Sequence, residues 1–278
     1  MSLKNTRPFL RRLASRTFAL WAKFEALRKP FGAYHALRVW TQHTWFSQNK
    51  TIVAKIKDLP HPIFLRARSS DLEVLIKVFS YREYSLPLLK APSSILDGGA
   101  NVGFASLFFA TQFPEAKIIA VEPDLGNLAV LKRNVASYPN IHIVDAALWN
   151  ENGSIELEDP GMDAHAFRIS GLTDVRTKSL RSVRAVSIES LQQECGIQKF
   201  DLVKLDIEGA EKQVLTGTWL GQTQVLVVEL HDRFVAGCSR RFYQAIDGYD
   251  GDYLFGENTI AFKRGWLPEA LIERGYWG

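Results

Sequence analysis

Seven residues decide the fold: Asp97-Gly98-Gly99-Ala100-Asn101-Val102-Gly103. They follow a short apolar run at 94–96 and precede a helical pattern at 104–113 that Pro114 stops. Glycines between a strand and a helix allow a sharp turn and a close approach of the backbone to a ligand. The helix start behind them presents unpaired amide hydrogens. The stretch therefore predicts a ligand-binding turn at the carboxyl end of a strand.

Strands and helices alternate on both sides of this turn. After the strand at 94–96, further strands of the sheet are predicted at 117–121, 141–144, 201–205 and 224–230. Asp124 is predicted to cap the helix that follows the second strand, and a hairpin at 253–263 is predicted to add an antiparallel edge. Upstream, the patterns predict two strands within 51–66 and helices at 8–29 and 71–79. The fold class is therefore α/β and Rossmann-like, with a mostly parallel central sheet.

The turn also discriminates between ligands. A dinucleotide site favours Gly-x-Gly-x-x-Gly, and Ala100 stands where the second glycine would follow Gly98. The carboxylate of Asp97 would repel a pyrophosphate, whereas it suits the cationic amino-acid end of S-adenosylmethionine. We therefore expect S-adenosylmethionine as cofactor and S-adenosylhomocysteine as product. A nicotinamide-dependent oxidoreductase on the same fold is the alternative.

Acids stand at the ends of the next two strands. Glu122 ends the second strand, 25 residues after Asp97, and can accept both ribose hydroxyls. Asp145 ends the third strand, before two small alanines, and can accept the exocyclic amine of adenine. The predicted cofactor-binding residues are Asp97, Gly98, Gly99, Ala100, Asn101, Gly103, Glu122, Pro123, Asp145, Ala146 and Asp206.

Four more side chains are predicted to meet at the same sheet edge. Alternation places Asp206 and Glu208 on one side of the fourth strand's end, and Glu229 and His231 on one side of the fifth. His231 is the predicted base because its unperturbed pKa is near ~6.5; Asp206 shares that task and Glu229 orients a hydroxyl or His231. The site is expected to work without a metal. A Mg²⁺ site at Asp206, Glu229 and His231 is the less favoured alternative.

Alternatives stay open for neighbouring residues. Glu208-Gly209-Ala210-Glu211 is also typical of a helix start, where the dipole favours acids, and Glu211 fits that interpretation best. Tyr81 and Tyr84 are predicted, with Glu208, to bind the substrate. They equally suit a helix end that packs on the core.

At these residues the sequence resembles the FkbM-type methyltransferase family. The most distinctive run is Asp-Ile-Glu-Gly-Ala-Glu at 206–211. The resemblance covers residues 60–265 approximately, and the matching segments are 70–71, 81–84, 97–103, 122–123 with Asn127, 147–149 and 204–211. It implies a class I methyltransferase fold and O-methylation of sugars, polyketides or related natural products. We therefore expect an O-methyltransferase that acts on a hydroxyl of a carbohydrate, glycolipid or other natural product.

The domain organisation follows from these assignments. Residues 1–50 are predicted to form a basic helical extension and residues 51–278 the methyltransferase domain. Within that domain the cofactor half is expected at 90–150, and the acceptor-side half at 200–265. A hairpin insertion at 150–190, which is either a lid or a plain surface insertion, separates the two halves.

Charge is distributed unevenly along the 278 residues. Residues 1–57 hold twelve Lys or Arg and one acid, Glu25, a balance of +11, which leaves −7 for the rest because the whole chain carries +4. Such a segment suits an anionic surface such as a membrane. The alternatives are a helix that caps the core, a transit peptide, and a non-catalytic module that binds a membrane or nucleic acid. The expected partner is a small-molecule or glycan acceptor, with no specific nucleic acid.

The remaining totals fit an ordinary globular protein, with 46% hydrophobic and 23% charged residues. No apolar run approaches the ~18 residues that span a bilayer, and the start lacks the pattern of a secretory signal. The expected location is the cytoplasm, with peripheral contact to the inner face of a membrane as an addition.

Overall fold

The chain forms two compact units, Met1–Arg82 and Glu83–Gly278. The computed structural model describes residues 21–158, 168–169, 180–268 and 270. Of the helix predicted at 8–29, the part at 8–20 lies outside the described residues. The division predicted at residue 50 stays a prediction.

The first unit combines helices with a small hairpin. Residues 21–31 form helix α1, and Ala33–Trp45 form helix α2. Strand β1 (Thr51–Ala54) pairs antiparallel with β2 (Ile63–Arg66), which confirms the two strands predicted here. Helix α3 (Asp71–Leu75) continues directly as one turn of π-helix, Ile76–Ser80. No described helix of the chain is both long enough and apolar enough to cross a bilayer.

The second unit contains the predicted alternation of strands and helices. Its described strands are β3 (Ser94–Gly98), β4 (Lys117–Val121), β5 (Ile141–Val144), β6 (Ala147–Leu148), β7 (Gly153–Glu158), β8 (Arg168–Ile169), β9 (Leu180–Val186), β10 (Leu202–Leu205), β11 (Val225–Glu229), β12 (Gly251–Phe255) and β13 (Asn258–Phe262). Its described helices are α4 (Phe104–Gln112), α5 (Leu125–Val135), α6 (Ile188–Glu194), α7 (Glu211–Val214), α8 (Trp219–Gln222) and α9 (Cys238–Ala245).

A seven-stranded sheet forms the centre of this unit, in the order β12-β13-β11-β10-β3-β4-β5. Strands β11, β10, β3, β4 and β5 are parallel. Strand β13 pairs antiparallel with β11, and β12 pairs antiparallel with β13, so the predicted hairpin forms this edge of the sheet. The fold is therefore the α/β, Rossmann-like arrangement with a mostly parallel central sheet that the sequence predicts. Because β11, β10, β3 and β4 are four consecutive parallel strands, their carboxyl ends lie at one edge of the sheet.

Local signals set the element boundaries. Gly103 takes a left-handed conformation (φ 88°) immediately before α4, and Phe113-Pro114 follows that helix. Asp124 caps α5, since its side chain accepts a hydrogen bond from the amide of Asn127, as predicted. The central strands β3 and β10 are buried along their whole length, so apolar burial holds the sheet in place. Trp219, Phe200 and Phe242 fill the core around them.

The insertion forms a second sheet of four strands in the order β6-β9-β7-β8. Strands β7 and β9 pair antiparallel from Gly153 opposite Ala185 to Glu158 opposite Leu180, which confirms the predicted hairpin. The short β6 pairs parallel with β9. The candidate lid of this insertion, residues 159–167 and 170–179, lies outside the described residues.

Candidate active site

A cavity opens at the carboxyl edge of the central sheet. It encloses about 650 Å³ of empty space, which includes open solvent at its mouth. The cavity is lined by Gly99, Asn101, Val121, Glu122, Pro123, Asn127, Ala146, Ala147, Leu148, Leu157, Asp206, Ile207, Glu208 and Ala210. The ends of β3, β4 and β10 therefore contribute to one cavity, as their predicted adjacency requires.

The glycine turn approaches the end of β10 at backbone distance. Gly99 has φ +73°, and a Cβ added there would lie 1.9 Å from the carbonyl oxygen of Asp206. Only glycine avoids both the strain and the clash. The amide of Asp206 donates to the carbonyl of Gly98, so a backbone hydrogen bond joins the turn to the end of β10 next to this contact. Of the predicted turn residues, Gly99 and Asn101 line the cavity, whereas Gly98, Ala100 and Gly103 support it from outside the lining.

Asp97 lies beneath the turn rather than at its mouth. Its side chain is fully buried, and Oδ2 accepts a hydrogen bond from Ser106 Oγ at 2.6 Å. Lys204 Nζ lies 3.1 Å from Asp97 Oδ1 and donates to the carbonyls of Gly98 and Gly99. The acid predicted to face a cationic ligand instead faces an internal lysine that holds the turn. Its direct role in cofactor binding stays a prediction.

Lys204 is the first site residue that the sequence argument missed. Burial would lower the pKa of Lys204, but the carboxylate of Asp97 raises it above its ordinary value, so the ammonium ion persists. A lysine in a strand is usually solvated, and no local pattern distinguishes one that reaches under a neighbouring turn. The one indication in the sequence is that Lys204 stands two residues before Asp206, which places the two side chains on the same side of the chain.

Glu122 is built into the cavity wall. Its carboxylate accepts hydrogen bonds from the amides of Asn101 and Asp124, both at 2.8 Å, and from the Asn127 side chain at 3.3 Å. Burial raises the pKa of Glu122 to about 7, although these hydrogen bonds oppose the rise. The acid predicted to hold the ribose thus lies in the same cavity as the turn.

Some of the remaining residues predicted to bind the cofactor or the substrate line the cavity, and others do not. Pro123 and Ala146 line the cavity, while Asp145 is exposed and does not line it. Tyr84 is buried, 5.6 Å from the ring centroid of Phe109, and it does not line the cavity either. Its environment matches the alternative of a side chain packed in the core. Tyr81 belongs to the first unit, where it is half-exposed.

Beside the cavity, four carboxylates surround one buried imidazole. We call the five residues the histidine cluster: His231, Asp206, Glu208, Glu211 and Glu229. The Nδ1 atom of His231 is hydrogen-bonded to Glu211 Oε1 at 2.8 Å. Its Nε2 atom lies 3.5 Å from Glu229 Oε1, 3.7 Å from Asp206 Oδ1 and 3.9 Å from Glu208 Oε2. The four predicted residues therefore do converge, and Asp206 and Glu208 also line the cavity.

Glu211 is the second residue that the sequence argument missed. It is fully buried, and besides the imidazole it accepts the amide of Ile207 at 3.1 Å. It does stand at the start of α7, as the helix-start interpretation expects. That position explains its sequence context, but it does not reveal the contact with His231, which lies in the segment after β11.

The electrostatics of the histidine cluster argue against a free histidine base. Burial alone would lower the pKa of His231, but the hydrogen bond to Glu211 and the carboxylates of Glu229 and Asp206 raise it to about 11. Burial, together with repulsion from Asp206, raises the pKa of Glu208 to about 7. An imidazole held as a cation cannot accept a proton. The base role predicted for His231 rested on an unperturbed pKa, which these surroundings do not allow.

Comparisons with known proteins agree with this architecture. A profile described as "Methyltransferase FkbM domain" matches residues 97–255. Methyltransferase sdnD of Sordaria araneosa is 27% identical over 171 residues, which are 51% of this chain and 66% of sdnD. The 2-O-methyltransferase NoeI of Sinorhizobium fredii is 26% identical over 184 residues, which are 61% of this chain and 73% of NoeI.

A solved structure of methyltransferase FkbM from Methylobacillus flagellatus KT aligns with a TM-score of 0.45 at 15% identity, covering 69% of this chain and 53% of that one. The chain thus spans about two thirds of the length of sdnD and about half of the solved chain. Because the profile covers more than half of the residues, this protein belongs to the FkbM methyltransferase family.

Proposed function

We propose that this protein is an S-adenosylmethionine-dependent O-methyltransferase whose acceptor is a hydroxyl of a carbohydrate, a glycolipid or a related natural product. The observation that carries the proposal is the convergence of Gly99, Glu122 and Asp206, from the ends of three parallel strands, on one cavity. Membership in a methyltransferase family and the likeness to a relative named as a 2-O-methyltransferase support it.

The cavity residues suit an adenosyl ligand. Glu122 offers carboxylate oxygens to the ribose hydroxyls, while Val121, Ala146, Leu148 and Leu157 supply an apolar surface for a flat base. The backbone amide of Asn101 donates a hydrogen bond to the carboxylate of Glu122. The glycine turn and the acid proposed to bind the ribose are therefore held at a fixed distance from each other. When bound, S-adenosylmethionine supplies a methyl carbon on a sulfonium, a good leaving group.

The catalytic residues proposed are Asp206, Glu229 and His231, with Glu208 binding the acceptor. Asp206 belongs both to the cavity lining and to the histidine cluster, so a hydroxyl bound at the cluster lies next to the cavity. The sulfonium of a bound cofactor would supply the methyl group and leave as a neutral thioether, while Asp206 and Glu208 would hold the acceptor hydroxyl next to it. The hydroxyl proton passes to a carboxylate of the cluster.

A titration with S-adenosylhomocysteine tests the cofactor assignment directly. Isothermal titration calorimetry of the purified full-length protein is expected to give one site per chain. The absence of heat at millimolar ligand would overturn the proposal. For the acceptor, glycans and lipids of wild-type and deletion strains are compared by mass spectrometry, and one species is expected to lose one methylene mass.

We also propose that the N-terminal segment contacts an anionic membrane surface. Tyr34, Leu37 and Trp45 are exposed and lie on one side of α2, while Ala36 and Val39 on the other side are buried. An exposed aromatic face in a segment of balance +11 combines apolar insertion with electrostatic attraction.

A further inference from the structure

One nitrogen of the histidine cluster faces three carboxylates without making a direct hydrogen bond to any of them. Among the described residues, His231 Nε2 makes no hydrogen bond, although the side chain is only 1% exposed. A buried polar atom without a partner costs free energy. Glu208 Oε2, which lies 3.9 Å from this nitrogen, also makes no hydrogen bond to any described residue.

The spacing around Nε2 fits a cation better than a direct hydrogen bond. Glu229 Oε1 and Asp206 Oδ1 lie 3.5 and 3.7 Å away, whereas a charged N–H···O bond is about 2.7–2.9 Å long. Ligand atoms that each lie about 2.1 Å from one metal ion are roughly 3.0–3.4 Å apart. The ligand atoms of Asp206, Glu229 and His231 all lie within 4.8 Å of one another. To share one ion, these atoms would have to close in from at most 4.8 Å to roughly 3.0–3.4 Å apart.

The other ring nitrogen is already fixed in the manner of a metal ligand. Glu211 Oε1 accepts the Nδ1 hydrogen at 2.8 Å, and both side chains are buried. This contact fixes the plane of the ring and points Nε2 toward Asp206 and Glu229. A bound ion would displace the Nε2 proton to solvent and take its place between these side chains. Ligating histidines are commonly oriented by a carboxylate in this way.

We propose that Asp206, Glu229 and His231 bind one divalent cation, with Glu211 as the residue that positions the imidazole. Two carboxylates with one imidazole suit an ion such as Mn²⁺, which accepts oxygen and nitrogen ligands. The inference rests on the proposed function for its role: the ion holds the acceptor hydroxyl beside the cavity and lowers its pKa. The hydroxyl proton still leaves to a carboxylate, so the balance of the transfer is unchanged.

Binding of Mn²⁺ alone tests the site. Full-length protein is stripped with a chelator and desalted, and Mn²⁺ is added while the six-line electron paramagnetic resonance signal of the free ion is recorded. One ion per chain is expected to bind. Glu229→Gln is expected to weaken binding at least about 10-fold. Asp232→Asn is the matched control, since Asp232 accepts from Gly237 and Ser239 outside the cluster, and it is expected to bind as the wild type does.

The choice of variants separates this proposal from the cofactor assignment. Glu229 and His231 do not line the cavity, whereas Asp206 does. Glu229→Gln is therefore expected to leave the affinity for S-adenosylhomocysteine within about 2-fold. The metal proposal is overturned if Mn²⁺ binds at less than one ion per chain at millimolar concentration, or equally well to Glu229→Gln. Loss of S-adenosylhomocysteine binding with intact Mn²⁺ binding would instead overturn the proposed function. Because His231→Gln can fail to fold, its melting temperature is measured first, and Glu229→Gln carries the test.

Discussion

Glu211 accepts a hydrogen bond from His231 across two elements, α7 and the segment after β11, and neither side chain is exposed. The contact fixes the imidazole plane, and Phe234 stacks on the same ring with centroids 5.6 Å apart and an interplanar angle of 9°. The ring is therefore held from its edge and from its face before any ligand arrives. Such prior orientation is what a binding site for small polar groups requires.

Removing the charge of Glu211 tests this orientation. Glu211→Gln keeps the shape and an oxygen that can accept from Ile207 and His231, but it loses the carboxylate charge. We expect Mn²⁺ to bind about 10-fold more weakly, and S-adenosylhomocysteine to bind as before. The exposed Glu115→Gln is the charge-matched control. Unchanged Mn²⁺ affinity in Glu211→Gln, measured by electron paramagnetic resonance, would remove Glu211 from this role.

Cofactor affinity is expected to depend on pH through Glu122. Because its pKa is raised to about 7, the carboxylate form exists above that pH and is lost as the pH falls through it. The ribose hydroxyls then lose an acceptor, so the dissociation constant for S-adenosylhomocysteine should rise between pH 8 and pH 5.5. In Glu122→Gln the affinity should be weak at every pH. A flat calorimetric profile for the wild type contradicts the assignment.

Substituting Gly99 should break the turn. In Gly99→Ala the Cβ would meet the Asp206 carbonyl at 1.9 Å, and the residue would keep φ +73°. We expect a loss of at least about 2 kcal/mol of unfolding free energy, or roughly 4–8 °C in melting temperature, together with loss of S-adenosylhomocysteine binding. Gly221→Ala is the control because its Cβ meets nothing within 4 Å. Equal melting temperatures for the two variants would refute the close approach.

The buried pair of Lys204 and Asp97 should behave as a unit. Lys204→Met leaves the fully buried Asp97 carboxylate without its cation, which costs about 3–5 kcal/mol. Adding Asp97→Asn should recover part of that loss, because no charge is then stranded. Urea unfolding of the two single variants and the double variant measures the coupling. Strict additivity would show that the pair is not coupled.

The N-terminal face of α2 should bind acidic vesicles. Replacing Tyr34, Leu37 and Trp45 by serine removes apolar side chains that are already exposed, so folding should be unaffected. Co-sedimentation of the full-length protein with phosphatidylserine vesicles should fall severalfold, and wild-type binding should weaken with salt. Binding of the triple variant at the wild-type level would exclude this face as the contact.

Much of the sheet could be predicted because its order follows from apolar runs and turn residues. Strand β4 was predicted with its observed bounds, and Glu122 was found because a strand end defines its place. Lys204 and Glu211 were missed because their partners, Asp97 and His231, are distant in sequence and meet only in the folded sheet. Periodicity assigns a side chain to a face, but it cannot say whether a charge on that face meets solvent or another charge.

The backbone contact between Gly99 and Asp206 also limits how the acceptor range of this enzyme could be altered. The glycine turn and Asp206, to which we assign cofactor binding and the acceptor hydroxyl, meet at the end of one strand, with no room for a side chain between them. A directed-evolution library aimed at new acceptors should therefore leave residues 97–103 and 204–211 untouched. We expect substitutions to be better tolerated elsewhere in the cavity lining, for example at Leu157. A change in the size of that side chain would alter which acceptors can enter the cavity and leave the proposed catalytic residues in place.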